Sequence, residues 1–193
     1  MKQAAILVFF TASVAWAAPE DRGMRGMMLS AGSGLAAGTA TDETGRDAGG
    51  FLGHGTVIRI GEEALPGLTL GLEVLFGKTD ANTQRYASTL MGLVVQLSYR
   101  PLDTLDGLVL LIGTGIGGGE LTSDGDDPFT GAVAGGLHEL GINYEMPLTG
   151  DSTGGLVAAL GARWIGVPAS GETPTTIQTF LFGVEMIWYA GRD

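Results

Sequence analysis

Residues 68–77 read Leu-Thr-Leu-Gly-Leu-Glu-Val-Leu-Phe-Gly, and they alternate with a period of two. Leu68, Leu70, Leu72, Val74 and Phe76 fall on one face, and Thr69, Gly71, Glu73, Leu75 and Gly77 on the other. Successive side chains of a β-strand point to opposite sides, so this stretch predicts a strand with one large, uniformly apolar face. Residues 91–100 repeat the pattern: Met91, Leu93, Val95, Leu97 and Tyr99 stand against Gly92, Val94, Gln96, Ser98 and Arg100. Six further segments follow the same rule, at about 27–38, 51–61, 108–118, 132–146, 155–167 and 177–190, the first being mostly Gly, Ala and Ser. Eight is an even number, as closed antiparallel meanders of membrane type require.

The connections alternate too. Those at 62–67, 101–107 and 147–154 are short and carry turn residues, whereas 39–50, 78–87, 119–131 and 168–176 are longer and polar. Short turns at one end and longer loops at the other are the habit of an up-and-down barrel set in a membrane.

Composition narrows the class. The 193 residues suit one domain. Mean hydropathy is +0.27 despite a net charge of −11, so a large apolar surface must be covered by a core or by lipid. Glycine numbers 34 without a collagen period, and it sits among the alternating apolar residues. Cysteine is absent, which excludes a thiol nucleophile, a Cys-ligated zinc, a disulfide framework and an acylated-cysteine anchor. At the N-terminus, Lys2, the apolar run 4–14 and Ala15-Trp16-Ala17 form an n-region, h-region and A-x-A site. The reading is a secretory signal over 1–17, with a barrel domain over 18–193. Loss of Lys2 leaves nine basic against 21 acidic residues, a mature charge of −12, which gives no electrostatic footprint for nucleic acid. After the signal, no run approaches the roughly 20 apolar residues of a membrane helix.

Alternation alone does not say which face looks inward. A soluble barrel buries its apolar face, and a membrane barrel turns that face to lipid. Size decides. An eight-stranded barrel has an interior just wide enough for side chains, and eight rows of Leu-sized residues would overfill it, whereas glycine-rich rows fit. Aromatics agree: Tyr99, Tyr144 and Trp188 lie on the apolar face near the exit ends of the fourth, sixth and eighth segments. Phe76, Trp164 and Phe180, with Phe182, lie on the same face toward the other rim. Two girdles mark two membrane interfaces. The expected fold is therefore all-β, an eight-stranded antiparallel up-and-down transmembrane barrel.

This pattern resembles the small eight-stranded outer-membrane barrels of the OmpA/OmpX-like class from Gram-negative bacteria. The resemblance is architectural and spans the mature chain. It implies the cell outer membrane as location, with outer-membrane lipid and lipopolysaccharide around the wall, recognition by the outer-membrane insertion machinery, and a monomer. In that class the last strand ends in an aromatic assembly signal; Gly183, Met186 and Trp188 look like it, with Tyr189 beside them, although this chain continues through Ala190-Gly191-Arg192-Asp193.

Strand phase places Arg59, Glu73, Gln96, Glu139, Asn143, Arg163 and Glu185 in the lumen. Buried charges are costly unless paired, so an ion-pair and hydrogen-bond network filling the barrel is expected, a proton or ion path being the alternative. His54 and His138 fall on the lipid face. Lipid A hydrolases of this architecture carry a histidine and a serine on that face, and Ser33 comes diagonally near His54, but no outward carboxylate stands by to orient the ring. No catalytic residue is assigned. Gly113-Thr114-Gly115-Ile116-Gly117-Gly118 contains a G-x-G-x-x-G, but no helical pattern follows it, so these glycines are read as thinning the inner wall. Asp124-Gly125-Asp126-Asp127 lacks the ligand spacing of a calcium loop and is read as a solvated acidic turn. With Asp42, Glu43, Asp47, Glu120 and Glu172 on the same side, divalent bridging to lipopolysaccharide is one use for it. No resident metal or cofactor is expected. The sequence thus points to a structural or surface-interaction barrel with polar loops outside and a plugged polar lumen. A narrow pore for small solutes stands second, and a lipid A-modifying enzyme third.

Overall fold

The computed structural model describes residues 26–42, 45, 47–80, 86–101, 107–123, 131–151, 154–167 and 175–190; the signal expected at 1–17 and the acidic turn at 124–127 lie outside them. Eight strands follow one another in chain order: β1 (Met27–Asp42), β2 (Asp47–Leu65), β3 (Leu68–Asp80), β4 (Tyr86–Tyr99), β5 (Leu108–Ser123), β6 (Gly131–Asp151), β7 (Gly154–Val167) and β8 (Thr175–Ala190). Each pairs antiparallel with the next, and β8 pairs with β1, so the sheet is a closed barrel. Closure removes the free edges that would otherwise leave unpaired N–H and C=O groups.

The register fixes the geometry. The ladder runs Leu29, Ile60, Leu72, Val95, Thr114, His138, Gly166, Gln178 and returns to β1 at Thr39. One circuit therefore climbs from residue 29 to residue 39, a shear of ten. Ten residues of shear over eight strands imply a strand tilt of roughly 40°. We call the end carrying the Pro66–Gly67 turn the lower rim. There Leu65 pairs with Leu68, and Gly67 takes φ 75°, the left-handed conformation that the third residue of a tight Pro-Gly turn requires.

The strands run further than the periodicity predicted at the upper rim. β1 and β2 take in most of the polar stretch 39–50, and β5 continues through Ser123. These extensions are rich in Thr, Gly and Ala instead of alternating Leu and Val, so the sequence signal fades before the pairing does. At the lower rim β6 continues through Pro147 to Asp151, with a register shift between Pro147 and Thr149 that accommodates the missing proline N–H.

The outer wall carries the large apolar residues. Leu29, Ile58, Leu70, Leu72, Val74, Leu93, Ile112, Leu140, Leu160 and Val184 are all exposed on it, and Leu35 is 73% exposed. In a closed barrel this is not a disrupted core but a wall facing outward. From Leu68 to Phe76 the apolar row of β3 rises roughly 20 Å along the axis at that tilt, close to the height of a membrane barrel's apolar band.

Candidate functional site

The lumen is built in three layers. The middle one is charged, and it gathers all seven lumen residues that strand phase selects. Arg59 on β2 donates from Nε to Glu185 Oε1 at 2.8 Å and from Nη1 to Gln96 Oε1 at 2.8 Å, while its Nη2 lies 2.6 Å from Glu185 Oε1. Arg163 on β7 donates to Glu73 Oε2, to Glu139 Oε1 at 3.2 Å and, through Nη2, to Glu185 Oε2 at 2.7 Å. Gln96 Nε2 donates to Glu73 Oε2 at 3.0 Å and to Glu139 Oε2 at 3.1 Å; Asn143 Nδ2 reaches Glu185 Oε2 at 3.1 Å. Glu185 is the hub, since its carboxylate accepts hydrogen bonds from both guanidinium groups. Ser30 on β1, which sequence reading missed, also donates to Glu185 Oε1. All of these side chains are buried, and Arg59 is only 1% exposed.

β5 contributes space instead of charge. A Cβ on Gly113 would lie 2.4 Å from Val94 Cγ1 and 3.1 Å from Glu139 Oε2; one on Gly117 would lie 2.6 Å from Leu137 Cδ1. The glycine run thus belongs to a strand whose inner side is crowded, which is why it resembles a nucleotide motif without being one.

Below the network, a second polar cluster spans the lower mouth. Arg100 Nη2 lies 2.8 Å from Glu145 Oε2 and donates to Tyr189 OH at 2.5 Å, and the Tyr189 hydroxyl donates to Glu145 Oε1 at 3.1 Å. The Arg100 guanidinium also sits 5.5 Å from the Tyr189 ring centroid. Burial works against the charge of Arg100, but Tyr189 and Glu145 outweigh it and hold the guanidinium's pKa above its ordinary value. Met28, Val157, Ala159 and Ile187 pack beside Tyr189. Sequence phase contains this cluster, because Glu145 shares parity with Glu139 and Tyr189 with Glu185, but Tyr189 also adjoins the outward Trp188 of the terminal aromatic pattern, which masks its inward phase.

Above the network, the lumen differs from the plugged polar interior with glycine-rich rows expected from the sequence. Leu75, Leu90, Val94, Leu121, Leu137, Ile165, Ile177, Leu181 and Phe51 form one buried cluster. In the sequence these residues share a face with glycine and serine, so the face is small on average and its large members stand isolated. They fit because glycine on neighbouring strands leaves them room: a Cβ on Gly55 would meet Leu181 Cδ1 at 2.7 Å and one on Gly92 would meet Leu137 Cδ1 at 2.5 Å.

The outer wall reverses in the same sense. Level with the charged layer it is Leu, Ile and Val, whereas beside the upper apolar layer it is Thr39, Thr41, Lys78, Thr89, Glu120, Thr122 and Gln178. Leu52, 72% exposed, is an apolar exception at that height. Below the changeover stand Phe76, Trp164 and Phe180, the Trp164 ring lying over Gly166 with its Nε1 3.4 Å from Gln178 Oε1. Tyr99, Tyr144 and Trp188 ring the lower rim, paired with Leu110, Leu160 and Leu29 respectively.

The two histidines face outward near the changeover. His138 Nδ1 lies 3.3 Å from Thr114 Oγ1, and His54 pairs across the ladder with Lys78 on one side and Leu35 on the other. Ser33 stands one diagonal step away from His54, but its hydroxyl donates to the Gly55 carbonyl at 3.1 Å.

No protein-family model matches the sequence, and no curated protein sequence matches it significantly. Solved structures do. Neisserial surface protein A superposes with a TM-score of 0.59 at 12% identity, covering 86% of this chain and 99% of that one. Ail, the attachment invasion locus protein of Yersinia pestis, superposes with a TM-score of 0.57 at 12% identity, covering 85% and 99%. At such identities the likeness is one of fold: the chain has the eight-stranded antiparallel up-and-down architecture of small outer-membrane barrels.

Proposed function

We propose that this chain is an integral barrel of a Gram-negative outer membrane, with a structural or surface-interaction role and a closed, non-conducting lumen. One observation carries the reading: at the level of the charged layer polarity is inverted between wall and lumen, with Arg59, Glu73, Glu139, Arg163 and Glu185 enclosed behind exposed Leu, Ile and Val, and the lumen above that layer is packed with Leu, Val and Ile. An apolar outer wall needs hydrocarbon around it, because in water it would expose a contiguous greasy band far larger than monomeric proteins tolerate. With the strands extended at the upper rim, the expected contrast in connection lengths does not hold, since 100–107 at the lower rim is longer than any upper connection. The orientation is taken instead from the chain ends: β1 begins and β8 ends at the lower rim, which faces the periplasm, while the upper rim faces the cell exterior. The signal at 1–17 delivers the chain to the periplasm, the insertion machinery recognises the last strand, and the barrel works as a monomer amid lipid and lipopolysaccharide. A closed lumen leaves the upper rim as the part that meets partners.

The test has two arms. Membrane fractionation places the protein with outer-membrane material, and the detergent-extracted form shifts its gel migration on heating, as folded barrels do. In planar bilayers the inserted protein stays silent. Release with the periplasmic extract would overturn the location; steady single-channel openings would overturn the closed lumen in favour of a narrow pore.

A further inference from the structure

Lys78 is the single cation on the outer wall among the described residues, since Arg59 and Arg163 are buried in the lumen and Arg100 lies at the lower mouth. It stands one pleat repeat above Phe76, where the wall changes from apolar to polar, and its direct cross-strand neighbour is His54. Both side chains are exposed, and neither has a hydrogen-bond or ion-pair partner among the described residues. Glu120, an outward carboxylate at this end, lies two strands away along the ladder, beyond Thr89. Below the pair, the outward residues are Leu35, Phe76 and Phe182, an apolar strip running down the wall.

From this juxtaposition we infer that His54 and Lys78 form a docking site for a phosphate group of an outer-leaflet glycolipid of the lipid A type. The proposal rests on the outer-membrane reading of the wall. An ammonium on a flexible stem at the hydrocarbon boundary extends toward the headgroup layer, and the anion it meets there is phosphate. The imidazole N–H of His54 adds a second donor from the adjacent strand, roughly 5 Å away at the Cβ. Acyl chains of the same molecule then lie against Leu35, Phe76 and Phe182. The occupant is a lipid and not a soluble anion because the two donors open onto the wall and not onto a loop. A phosphate glycolipid is favoured over a phospholipid because upper-rim residues face the outer leaflet, where such glycolipids are concentrated in this membrane. In a chain of net charge −11, an outward cation at that depth, the single one among the described residues, is placed where an anionic headgroup would meet it.

The experiment uses the folded protein in mild detergent, with diphosphoryl lipid A as probe and native mass spectrometry as readout. The protein should bind it, His54→Gln/Lys78→Gln should bind it about tenfold more weakly, and Lys78→Arg should restore most of the affinity. Monophosphoryl lipid A should bind less tightly to the unaltered protein and lose less in the double variant. Equal binding by protein and double variant overturns the site, and equally tight binding of phosphatidylglycerol overturns the glycolipid as occupant. Heat-modifiable migration of each variant shows that it is folded, and insertion into phosphatidylcholine vesicles tests the lipid-facing wall separately. Failure to insert removes the outer-membrane reading itself, whereas insertion with unchanged lipid A affinity removes only the docking site.

Discussion

Two guanidinium groups serve three carboxylates in the charged layer, so each arginine is shared and neither is redundant. Arg163→Met strips Glu73 and Glu139 of their closest cation and takes one of two from Glu185. Removing one member of a buried pair costs about 3–5 kcal/mol because the remaining charge is stranded. The same loss is expected here as a fall in urea-unfolding free energy in lipid vesicles, and the Arg59→Met/Arg163→Met double variant should fall further. Unfolding at the unaltered urea concentration would mean that the network contributes nothing. The glycines offer a finer test. A Cβ on Gly115 would come within 1.9 Å of the Leu93 carbonyl oxygen, and backbone cannot yield as a side chain can; a Cβ on Gly136 meets nothing within 4 Å. Gly115→Ala should therefore destabilise by about 1–3 kcal/mol and Gly136→Ala by less than about 0.5 kcal/mol in the same assay. Equal costs would show that strand glycines matter here for backbone freedom and not for room.

At the level of the strand, legibility follows from how many physical demands a face satisfies at once. β3 and β4 were readable because one face serves a single solvent: Leu70, Leu72, Val74, Leu93 and Val95 all meet hydrocarbon, so alternation is uninterrupted. The charged layer was readable for the same reason, since a Glu or Arg flanked by apolar neighbours in strict phase has one place to go. The upper lumen was not, because there the inner face becomes apolar as well, and Leu75, Leu90 and Val94 on a face shared with glycine look like noise in a period-two signal. Strand ends were underestimated for a related reason: above the changeover Thr39, Thr89 and Thr122 face water, and polar alternation carries no hydrophobic period. The lower cluster of Arg100, Glu145 and Tyr189 required knowing which strands meet across the lumen, a matter of register. An element-scale prediction separates the two regimes. Val74→Arg, in the middle of the apolar row of β3, should cost about 2–4 kcal/mol of barrel stability. Thr89→Arg, on the outward phase of β4 but above the changeover, should cost less than about 1 kcal/mol. If both cost the same, the membrane boundary has been drawn at the wrong height.

For the molecule as a whole, the reversal of polarity along the axis makes one barrel out of two kinds. Its lower part follows membrane logic, with apolar residues outside and a hydrogen-bonded ionic filling; its upper part follows the logic of a soluble barrel, with Phe51, Leu121 and Ile177 inside and Thr, Lys and Glu outside. Neither half suits the other's solvent, so the changeover sets the depth expected for the barrel in the membrane. The absence of cysteine makes this directly measurable, because each introduced cysteine is the sole site for a thiol-reactive probe. A fluorescent label at Val74→Cys or Leu93→Cys should be quenched by lipids brominated in their acyl chains and be insensitive to aqueous iodide. Labels at Thr89→Cys and Glu120→Cys should show the opposite pattern, and one at Phe76→Cys should respond to both. A barrel lying deeper would shield the Thr89 label from iodide, and a barrel that is soluble throughout would leave the Val74 label open to it. Either result would break the link between the filled upper lumen and a projecting rim, since packing Leu and Ile inside gains free energy from burial wherever the barrel stands, whereas Thr and Glu outside are favourable only in water.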